Sequence, residues 1–305
     1  MVMTDVIRDI KEMNVGKVDE NCLMSKYTTY RVGGKVKAIV YPKNIKCLTT
    51  LLEYLNKNNV LYKVVGNGSN LLFSDDDYDG IIIRLNQFDK LTWINSNKFR
   101  VGAGYSLAKL SLLTAKKGLT GLEFAAGIPG TVGGAVFMNA GAYKSDMGYV
   151  VEKVKVLTPN EGIITLSNKE MDFHYRSSYL QRHRDYIVLE VVIRLIKGKR
   201  ELIEEVIRDR KRRRIETQPL EYPSAGSVFR NPEGMFDGQL IEELGLKGKT
   251  YGGAMISDKH ANFIVNNTKT CKASDIKYLI DLAHDEVLKK YNVDMKIEQE
   301  FVNFK

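Results

Sequence analysis

Apolar residues recur with the periods of strands and helices over the first two thirds of the chain. From Lys35 the pattern predicts one β-α-β unit, made of the strand "KVKAIVYP", the helix "IKCLTTLLEYLNKNN" and the strand "LYKVV". It then predicts the strands "IIIRL", "KFRVGAG", "VEKVKVLT" and "YIVLEVVIRLI" and the helix "SLAKLSLLTAKKG". Ahead of these, "MVMTDVIRDIKEMNVGKVDE" alternates charged with single apolar residues, which predicts a short amphipathic helix.

The composition changes near residue 200, where we expect a domain boundary. A basic helix starts there with "ELIEEVI", and the Pro-, Gly- and Ser-rich segment "QPLEYPSAGSVFRNPEG" follows it. Beyond that segment the pattern predicts the helices "GQLIEELG" and "SDIKYLIDLAHDEVLKKYN" and the terminal strand "MKIEQEFVNF".

Length and composition are those of a globular protein with reduced cysteines. The 305 residues are 44% hydrophobic and 27% charged, so we expect a well-buried core and two or three domains. The three cysteines, Cys22, Cys47 and Cys271, lack Cys-x-x-Cys spacing, and the N-terminus lacks the apolar segment of a signal peptide. These features predict a cytoplasmic protein without a disulfide framework.

A formal net charge of +9 favours anionic partners. The densest basic cluster is "RDRKRRR", residues 208–214, which has no aromatic or glycine residues between its charges. A solvated helix face is therefore favoured over a nucleic-acid patch, and contact of one or two arginines with an anionic substrate stays open.

The most unusual stretch is "FAAGIPGTVGGAVFMNAGAY", residues 124–143, in which no residue is charged and ten are Ala or Gly. Its five glycines and Pro129 would break a membrane helix. Gly133 and Gly134 are not followed by the lysine of a P-loop. Glycine permits close backbone approach, so main-chain N–H groups can surround an anion or a flat ring.

A second glycine turn, "VVGNGSNLLF" at residues 64–73, follows a predicted strand. Taken alone it is equally well a tight turn, and it makes a poor dinucleotide fingerprint because no helix follows. Two such segments in one domain predict a nucleotide-like cofactor.

Metal binding is not predicted. Asp75, Asp77 and Asp79 imitate the start of a calcium loop, but Asn86 stands where the twelfth-position glutamate belongs, so a solvated turn is favoured. The four histidines show no metal-ligand spacing, and His284 is expected to be structural.

Three polar residues lie in apolar or glycine-rich settings: Arg176 after "FHY", Ser227 in "PSAGSVF", and Glu300 on a predicted strand face with Val302 and Phe304. A buried Arg and Glu usually need each other or a ligand. A structural ion pair with a turn serine and a reactive site are equally compatible with this pattern.

Seven motifs in order span nearly the whole chain: "TTYRVGG" from residue 28, "GNGSNLL" from 66, "GIPGTVGGAVFMNAGAY" from 127, "YRSSYL" from 175, "PSAGSVFRNP" from 223, "KHANFIVN" from 259 and "IEQEFV" from 297. In them the chain resembles the UDP-N-acetylenolpyruvoylglucosamine reductase (MurB) family of flavoenzymes. The passage from "RLIK" to "GKRELIEE" leaves no room for the substrate-covering tyrosine loop of the family's longer form. The chain therefore resembles the shorter form.

The resemblance implies an α+β fold, in which a two-subdomain FAD-binding region of the vanillyl-alcohol-oxidase (PCMH) type precedes a C-terminal α+β substrate domain. We accordingly expect an N-terminal helical segment at 1–30, the FAD-binding region at 31–198 and the substrate-binding domain at 199–305. The two subdomains are expected at about 31–90 and 91–198.

The resemblance also implies a two-stage reaction. NADPH reduces non-covalently bound FAD, and a hydride then passes to C3 of UDP-N-acetylglucosamine enolpyruvate to give UDP-N-acetylmuramate for peptidoglycan. Arg176 and Glu300 would polarise the carboxylate and the developing enolate, and Ser227 would donate the proton to C2.

The binding residues implied by the resemblance fall into two sets. FAD contacts would come from Gly66, Asn67, Gly68, Ser69, Asn70, Leu71, Gly127, Ile128, Pro129, Gly130, Val132, Gly133, Gly134, Ala135, Asn139, Gly141 and Ile187. Substrate contacts would come from Tyr175, Arg213, Asn231, Lys259 and His260. We expect a monomer with no metal, nucleic-acid or membrane partner.

Two other functions stay open. One is a related PCMH-type flavin oxidase acting on another alcohol, against which the Ser227 motif and the Glu300 strand argue. The other is a nucleic-acid-binding protein built around residues 208–214.

Overall fold

A computed structural model describes residues 2–232 and 234–304, which form two compact units. The first unit comprises the chain through Glu20 with Ala38–Asn67 and Gly80–Arg212, and the second comprises Asn21–Lys37, Gly68–Asp79 and the chain from Arg213 onward. Each unit is discontinuous in sequence. The domain bounds given above are continuous segments and stay a prediction.

The described residues contain both helices and short strands, as an α+β fold requires. The α-helices are α1 (Met3–Glu12), α2 (Ile45–Lys57), α3 (Leu107–Lys116), α4 (Val132–Met138), α5 (Tyr179–Arg182), α6 (Arg200–Thr217), α7 (Asp237–Glu243) and α8 (Ala273–Tyr291). The strands are β1 (Gly16–Leu23), β2 (Lys35–Pro42), β3 (Tyr62–Val64), β4 (Leu71–Phe73), β5 (Tyr78–Ile83), β6 (Leu91–Trp93), β7 (Lys98–Gly102), β8 (Leu119–Thr120), β9 (Gly141–Ala142), β10 (Ser145–Asp146), β11 (Val151–Thr158), β12 (Gly162–Ser167), β13 (Ile187–Arg194), β14 (Ile196–Lys197), β15 (Phe229–Arg230), β16 (Thr250–Tyr251), β17 (Ala254–Ile256), β18 (Ile264–Asn266), β19 (Lys296–Ile297) and β20 (Glu300–Val302).

The first unit is built around two sheets. One has the strand order β1-β2-β5-β3, and the other is antiparallel with the order β12-β11-β13-β7-β6. β13 lies between β11 and β7, and its residues from Ile187 to Leu189 are all buried. A strand with so few exposed residues is covered on both faces. Helix α2 adds Leu48, Leu51 and Leu55 to the same core, as its spacing predicts.

The second unit packs the three-stranded antiparallel sheet β16-β17-β18 against α8. Helix α8 buries Ile276, Leu279, Ile280, Ala283 and Val287 on one face, which is the helical spacing seen in its sequence. Two strand pairs complete the unit: β15 runs antiparallel to β19, and β4 runs parallel to β20. These pairs carry the segments that hold Ser227 and Glu300.

The predicted elements exist with the predicted type, but two details were wrong. The N-terminal helix ends at Glu12, because Asn14 has φ 51° and the chain then enters β1 at Gly16. A Cβ on Gly16 would lie 2.0 Å from the Tyr41 carbonyl oxygen. The predicted β-α-β unit is present as β2, α2 and β3, and β5 lies between its two strands in the sheet. The terminal strand divides into β19 and β20, which pair with different partners.

Over residues 2–232 and 234–304, no helix has the length and apolar character needed to cross a bilayer.

Candidate active site

The two glycine-rich segments meet inside the first unit. Asn67 Nδ2 donates to the Pro129 carbonyl oxygen at 3.0 Å, and a Cβ on Gly66 would lie 2.6 Å from Thr131 Oγ1. Arg84 Nη2 donates to the Gly66 carbonyl oxygen at 3.0 Å, and this hydrogen bond helps to fix the turn. The sequence therefore uses glycine at position 66 because the backbone passes so close to the other segment.

The segment from 127 to 135 presents two different faces. Gly127, Pro129 and Gly134 are exposed, whereas Val132, Gly133 and Ala135 are buried. A Cβ on Gly133 would lie 2.9 Å from the Ala103 Cβ, so that glycine serves packing, whereas a Cβ on Gly134 would make an ordinary contact, 3.5 Å from Thr131 Oγ1. Only the exposed face offers main-chain atoms to a ligand, a distinction that the sequence did not show.

The rest of the first glycine turn belongs to the second unit. Gly68 has φ 62°, and its carbonyl oxygen accepts from Thr29 N at 3.2 Å. Asn70 Nδ2 donates to the Glu298 carbonyl oxygen at 3.1 Å, and Glu300 N donates to the Asn70 carbonyl oxygen at 2.9 Å. Leu71 is the register partner of Glu300 in the β4–β20 pair, and Ser69 between them is half-buried. This turn thus fixes the strand that carries Glu300.

These segments fit a flavin dinucleotide. Gly66 leaves no space for a side chain, and the exposed face around Gly127, Pro129 and Gly134 presents main-chain atoms without charged side chains. Such surfaces hold phosphates and flat rings by backbone N–H groups. Ile128 and Gly130 are half-buried within the same segment.

Three of the expected FAD contacts also have structural roles. Asn139 has φ 44°, and its side chain donates to the His174 carbonyl oxygen and accepts from Gly148 N. Gly141 lies in the β9–β10 hairpin, where a Cβ would be 2.5 Å from the Ser145 carbonyl oxygen. Ile187 is buried at the start of β13. Their contact with FAD stays a prediction.

Arg176 is held in an uncommon backbone conformation in the first unit. It has φ 52°, and its Nη2 donates to the Gly141 carbonyl oxygen at 2.8 Å. Gln181 Nε2 donates to the Arg176 carbonyl oxygen at 3.0 Å and to the Phe137 carbonyl oxygen at 3.1 Å. The Arg176 guanidinium lies 5.1 Å from the ring of Tyr175, which is exposed. Left-handed backbone at a non-glycine residue commonly marks a functional site.

Ser227 lies on a loop fixed by buried amides in the second unit. Gln299 Nε2 donates to the carbonyl oxygens of Gly226 and Ser227 at 3.2 and 3.4 Å, and Tyr30 Oη donates to Gln299 Oε1 at 3.0 Å. Asn262 then binds both the N–H and the carbonyl oxygen of Phe229 at 2.9 Å. Neither Gln299 nor Asn262 was singled out from the sequence, although they lie inside the motifs "IEQEFV" and "KHANFIVN".

The structure brings Ser227 and the Glu300 strand together, because Gln299 immediately precedes Glu300 and binds the Ser227 loop. Both residues are half-buried, as is Arg176 in the first unit. The expectation of buried side chains was therefore too strong. Phe304 lies beyond the end of β20, so the predicted shared strand face extends only to Val302.

Four of the five candidate substrate residues lie in the second unit. Asn231 and Arg213 are exposed, and Asn231 Oδ1 accepts from Asp237 N at 3.3 Å. Lys259 Nζ donates to the Ile215 carbonyl oxygen at 2.6 Å, near the end of α6. Burial lowers the pKa of His260, so its ring is neutral at pH 7, and its Nδ1 accepts from Asn262 N at 3.2 Å. The fifth candidate, Tyr175, belongs to the first unit.

The acidic turn at residues 75–79 caps a helix. Asp75 accepts hydrogen bonds from Ala273 N, Ser274 N and Ser274 Oγ, at 2.7, 2.9 and 2.8 Å, at the start of α8. Among the residues that the structure describes, no group of three or more His, Cys, Asp or Glu could hold a metal ion. The similarity to a calcium loop is explained by helix capping.

Comparisons with known proteins agree with this geometry. Residues 218–302 match the family model "UDP-N-acetylenolpyruvoylglucosamine reductase, C-terminal domain", and residues 36–167 match the model "FAD binding domain". The chain therefore contains a FAD-binding domain, and most of the matched residues belong to the first unit. A glucose oxidase, a variant of Phl p 4, aligns with 64% of this chain and 44% of its own at TM-score 0.50 and 15% identity, which shows likeness of fold alone.

Relatives of nearly full length settle the family. The chain is 44% identical over 300 residues to UDP-N-acetylenolpyruvoylglucosamine reductase 1 of Bacillus cereus, covering 98% of this chain and 99% of that one. It is 44% identical over 303 residues to the reductase of Anoxybacillus flavithermus, covering 99% and 100%. The crystal structure of the Thermus caldophilus enzyme aligns with TM-score 0.79 at 35% identity, covering 93% of this chain and 98% of that chain. The chain belongs to the UDP-N-acetylenolpyruvoylglucosamine reductase family.

Proposed function

We propose that this chain reduces UDP-N-acetylglucosamine enolpyruvate to UDP-N-acetylmuramate, with FAD as cofactor and NADPH as electron donor, in peptidoglycan precursor synthesis. The similarity to reductases over nearly the whole chain supports this function. The structural observation that carries it is the arrangement of Ser227 and the Glu300 strand around Gln299. The flavin oxidase and nucleic-acid alternatives are not favoured.

The chain's own residues bind and orient the cofactor. FAD, when bound, takes electrons from NADPH and supplies the hydride for C3 of the enolpyruvyl group. The backbone of Gly66, Asn67 and the exposed face from Gly127 to Gly134 would hold it. Residues 124–143 contribute no charged side chain of their own to this region.

Ser227 supplies the proton to C2 of the substrate. Gln299 fixes the Ser227 main chain through its carbonyl oxygen, and within residues 2–232 and 234–304 no side chain is hydrogen-bonded to the Ser227 hydroxyl group. A hydroxyl is a weak acid, but the enolate formed by hydride addition is a strong base. Transfer is therefore favourable where water is excluded.

Arg176 would bind the substrate carboxylate, onto which the negative charge spreads, and Glu300 would polarise it as a hydrogen-bond donor through a carboxyl O–H. Such stabilisation requires donors that are fixed before the reaction starts. The left-handed backbone of Arg176, held by Gln181, and the β4–β20 pairing of Glu300 provide that rigidity. Stabilising groups of this kind typically contribute a factor of about 100 to 1,000 to the rate.

The remaining candidates bind the anionic nucleotide. Lys259 and Arg213 supply positive charge near the end of α6, Asn231 and neutral His260 supply hydrogen bonds, and Tyr175 lies beside Arg176. The net charge of +9 is accounted for by substrates that carry phosphates. We propose further that the enzyme is monomeric and cytoplasmic and that it needs neither nucleic acid nor a membrane.

Ser227→Ala tests the proton-donor role. Reduction of bound FAD by NADPH should proceed at the wild-type rate, while product formation should fall on the order of 100-fold or more with little change in substrate Kd. Both steps are followed separately by stopped-flow absorbance near 450 nm.

Ser224→Ala is the matched control, because Ser224 is a half-buried serine three residues earlier on the same loop. It should leave both steps unchanged. Equal losses in the two steps of Ser227→Ala would refute the proton-donor assignment.

A further inference from the structure

Asp237, the first residue of α7, is completely buried, and its carboxyl group has no hydrogen-bond partner among the described residues. The residue has 0% of its surface exposed. Neither carboxyl oxygen has a hydrogen-bond partner among the residues that the structure describes. The two preceding residues show the opposite pattern, since Met235 is 45% and Phe236 65% exposed. An acidic side chain buried behind exposed apolar neighbours is not what folding alone would favour.

The surroundings of Asp237 are the candidate substrate residues. Asp237 N donates to Asn231 Oδ1 at 3.3 Å. At the next residue, Gly238, a Cβ would lie 3.6 Å from His260 Cε1 and 3.7 Å from Asn262. Asp237 therefore lies beside two of the residues to which we assign substrate binding.

Glu298 connects Asp237 to the segments that carry Ser227 and Glu300. Its charge acts on the Asp237 carboxyl, its N–H donates to the Val228 carbonyl oxygen at 2.8 Å, and its carbonyl oxygen accepts from Asn70. It thus lies between the Ser227 loop and the Glu300 strand.

The neighbourhood of Asp237 contains both neutral and charged groups. His260 is neutral at pH 7, and the charges of Lys247 and Glu242 act on its ring. Helix α8, which packs on α7, buries Ile280 and Ala283 on its apolar face. Glu298 is the charged residue that acts on the Asp237 carboxyl when it ionises.

Burial and Glu298 together raise the pKa of Asp237 to about 7. Folding thus favours the protonated acid, and the stability that this preference gives is fully present below the unfolded pKa and is lost as the pH rises through 7. A buried carboxyl that lowers stability at neutral pH, and that has no hydrogen bond to any of the described residues, is typical of a residue kept for function.

We propose that Asp237 is a specificity-determining residue for the anionic sugar nucleotide, and that its uncharged form is the one that binds this substrate. This inference rests on the proposed function. The substrate carries a diphosphate and a carboxylate, whose charges are constant between pH 6 and 8.5. Ionised Asp237 places a second negative charge beside Glu298 and repels the substrate, so binding favours uptake of a proton by Asp237.

The test is the pH dependence of Kd for the enolpyruvyl sugar nucleotide, measured by calorimetry on the oxidised FAD-loaded enzyme without NADPH. Wild-type Kd should rise on the order of tenfold between pH 6 and 8.5, which corresponds to a pKa change of about one unit on binding. Asp237→Asn, which mimics the neutral acid, should bind with nearly constant Kd. Asp237→Asn should also raise the midpoint of urea unfolding, and the increase should be larger at pH 8.5 than at pH 5.

Glu243→Gln is the control, because Glu243 is an exposed carboxylate on the same helix and the substitution makes the same change in charge. Its Kd should follow the wild-type pH profile. A wild-type slope retained in Asp237→Asn would overturn the inference.

A measurement on wild-type protein alone covers the case in which Asp237→Asn does not fold. Calorimetry in buffers of different ionisation enthalpy should show proton uptake on binding near pH 7.5, and zero uptake would overturn the inference. Absence of binding at every pH would overturn the proposed function as well, whereas pH-independent binding would overturn this inference alone.

Discussion

At the residue scale, neutral amides hold the candidate catalytic groups in place. Gln299 binds the Ser227 loop, Asn262 binds both main-chain groups of Phe229, and Gln181 binds the Arg176 carbonyl oxygen. An amide can fix main-chain atoms without bringing a charge that competes for an anionic substrate. These residues would define the geometry in which Ser227 and Arg176 act under the proposed mechanism.

Gln299→Leu should show how much the Ser227 loop depends on its amide. The substitution removes the acceptor of the Tyr30 hydroxyl and the donor to three carbonyl oxygens. We therefore expect a loss of about 1–3 kcal/mol in the free energy of unfolding. Product formation should also slow more than flavin reduction by NADPH. Urea denaturation and the two half-reactions measure these effects.

The control for Gln299→Leu is Gln239→Leu, because Gln239 is an exposed glutamine on α7 whose amide donates to the Glu243 side chain. It should leave the free energy of unfolding within about 0.5 kcal/mol of wild type. A wild-type midpoint and rate in Gln299→Leu would show that the loop keeps its position without the amide.

The motifs identified Ser227, Arg176 and Glu300 but not the residues that position them. Glycine runs, and a serine that follows a glycine in an apolar stretch, are visible in a sequence because they interrupt its local pattern. Gln299 and Asp237 resemble ordinary surface residues, and only the fold shows that they are buried at 5% and 0% exposure. Burial of a single polar residue depends on long-range packing, which local periodicity does not contain.

At the element scale, capping by a distant residue starts the longest helix of the second unit. Asp75 accepts three hydrogen bonds from Ala273 and Ser274 at the first turn of α8. A carboxylate there satisfies main-chain donors and faces the positive end of the helix dipole. The loop of residues 75–79 is thereby tied to α8.

Asp75→Ala should destabilise the protein by about 1–2 kcal/mol, because the first-turn N–H groups of α8 lose their acceptor. Asp76→Ala changes the exposed neighbour in the same loop and should have little effect. The urea midpoints of both variants give the comparison. Equal midpoints would contradict the capping role.

Long elements were predicted from the sequence and very short ones were not. The bounds of β2 and β11 match the predicted stretches, and α3 begins after Ser106, whose Oγ accepts from Lys109 N. The sheet β16-β17-β18 was missed, because its strands have only two or three residues and no alternation can be recognised in them.

At the scale of the whole molecule, stability should depend on pH through His284. Hydrogen bonds to Asp294 and Asp285 raise its pKa above 6.5. A raised pKa stabilises the fold fully below the unfolded value, and this contribution is lost as the pH rises through the folded value. The free energy of unfolding should therefore fall as the pH is raised from about 6.5.

His284→Gln should reduce that slope, because glutamine keeps a hydrogen bond but does not titrate. Titration of Asp237 also lowers the free energy of unfolding as the pH rises. The quantity to compare is therefore the difference in free energy of unfolding between variant and wild type at each pH. Parallel curves for the two proteins would contradict the role of His284.

The central claim, that the chain is a FAD-dependent reductase of the enolpyruvyl sugar nucleotide, is tested most directly by anaerobic absorbance near 450 nm. We predict that purified protein shows the oxidised flavin band and that NADPH bleaches it. One equivalent of UDP-N-acetylglucosamine enolpyruvate should then restore the band, whereas UDP-N-acetylglucosamine should not. A colourless protein, or a bleached band that only oxygen restores, would contradict the account.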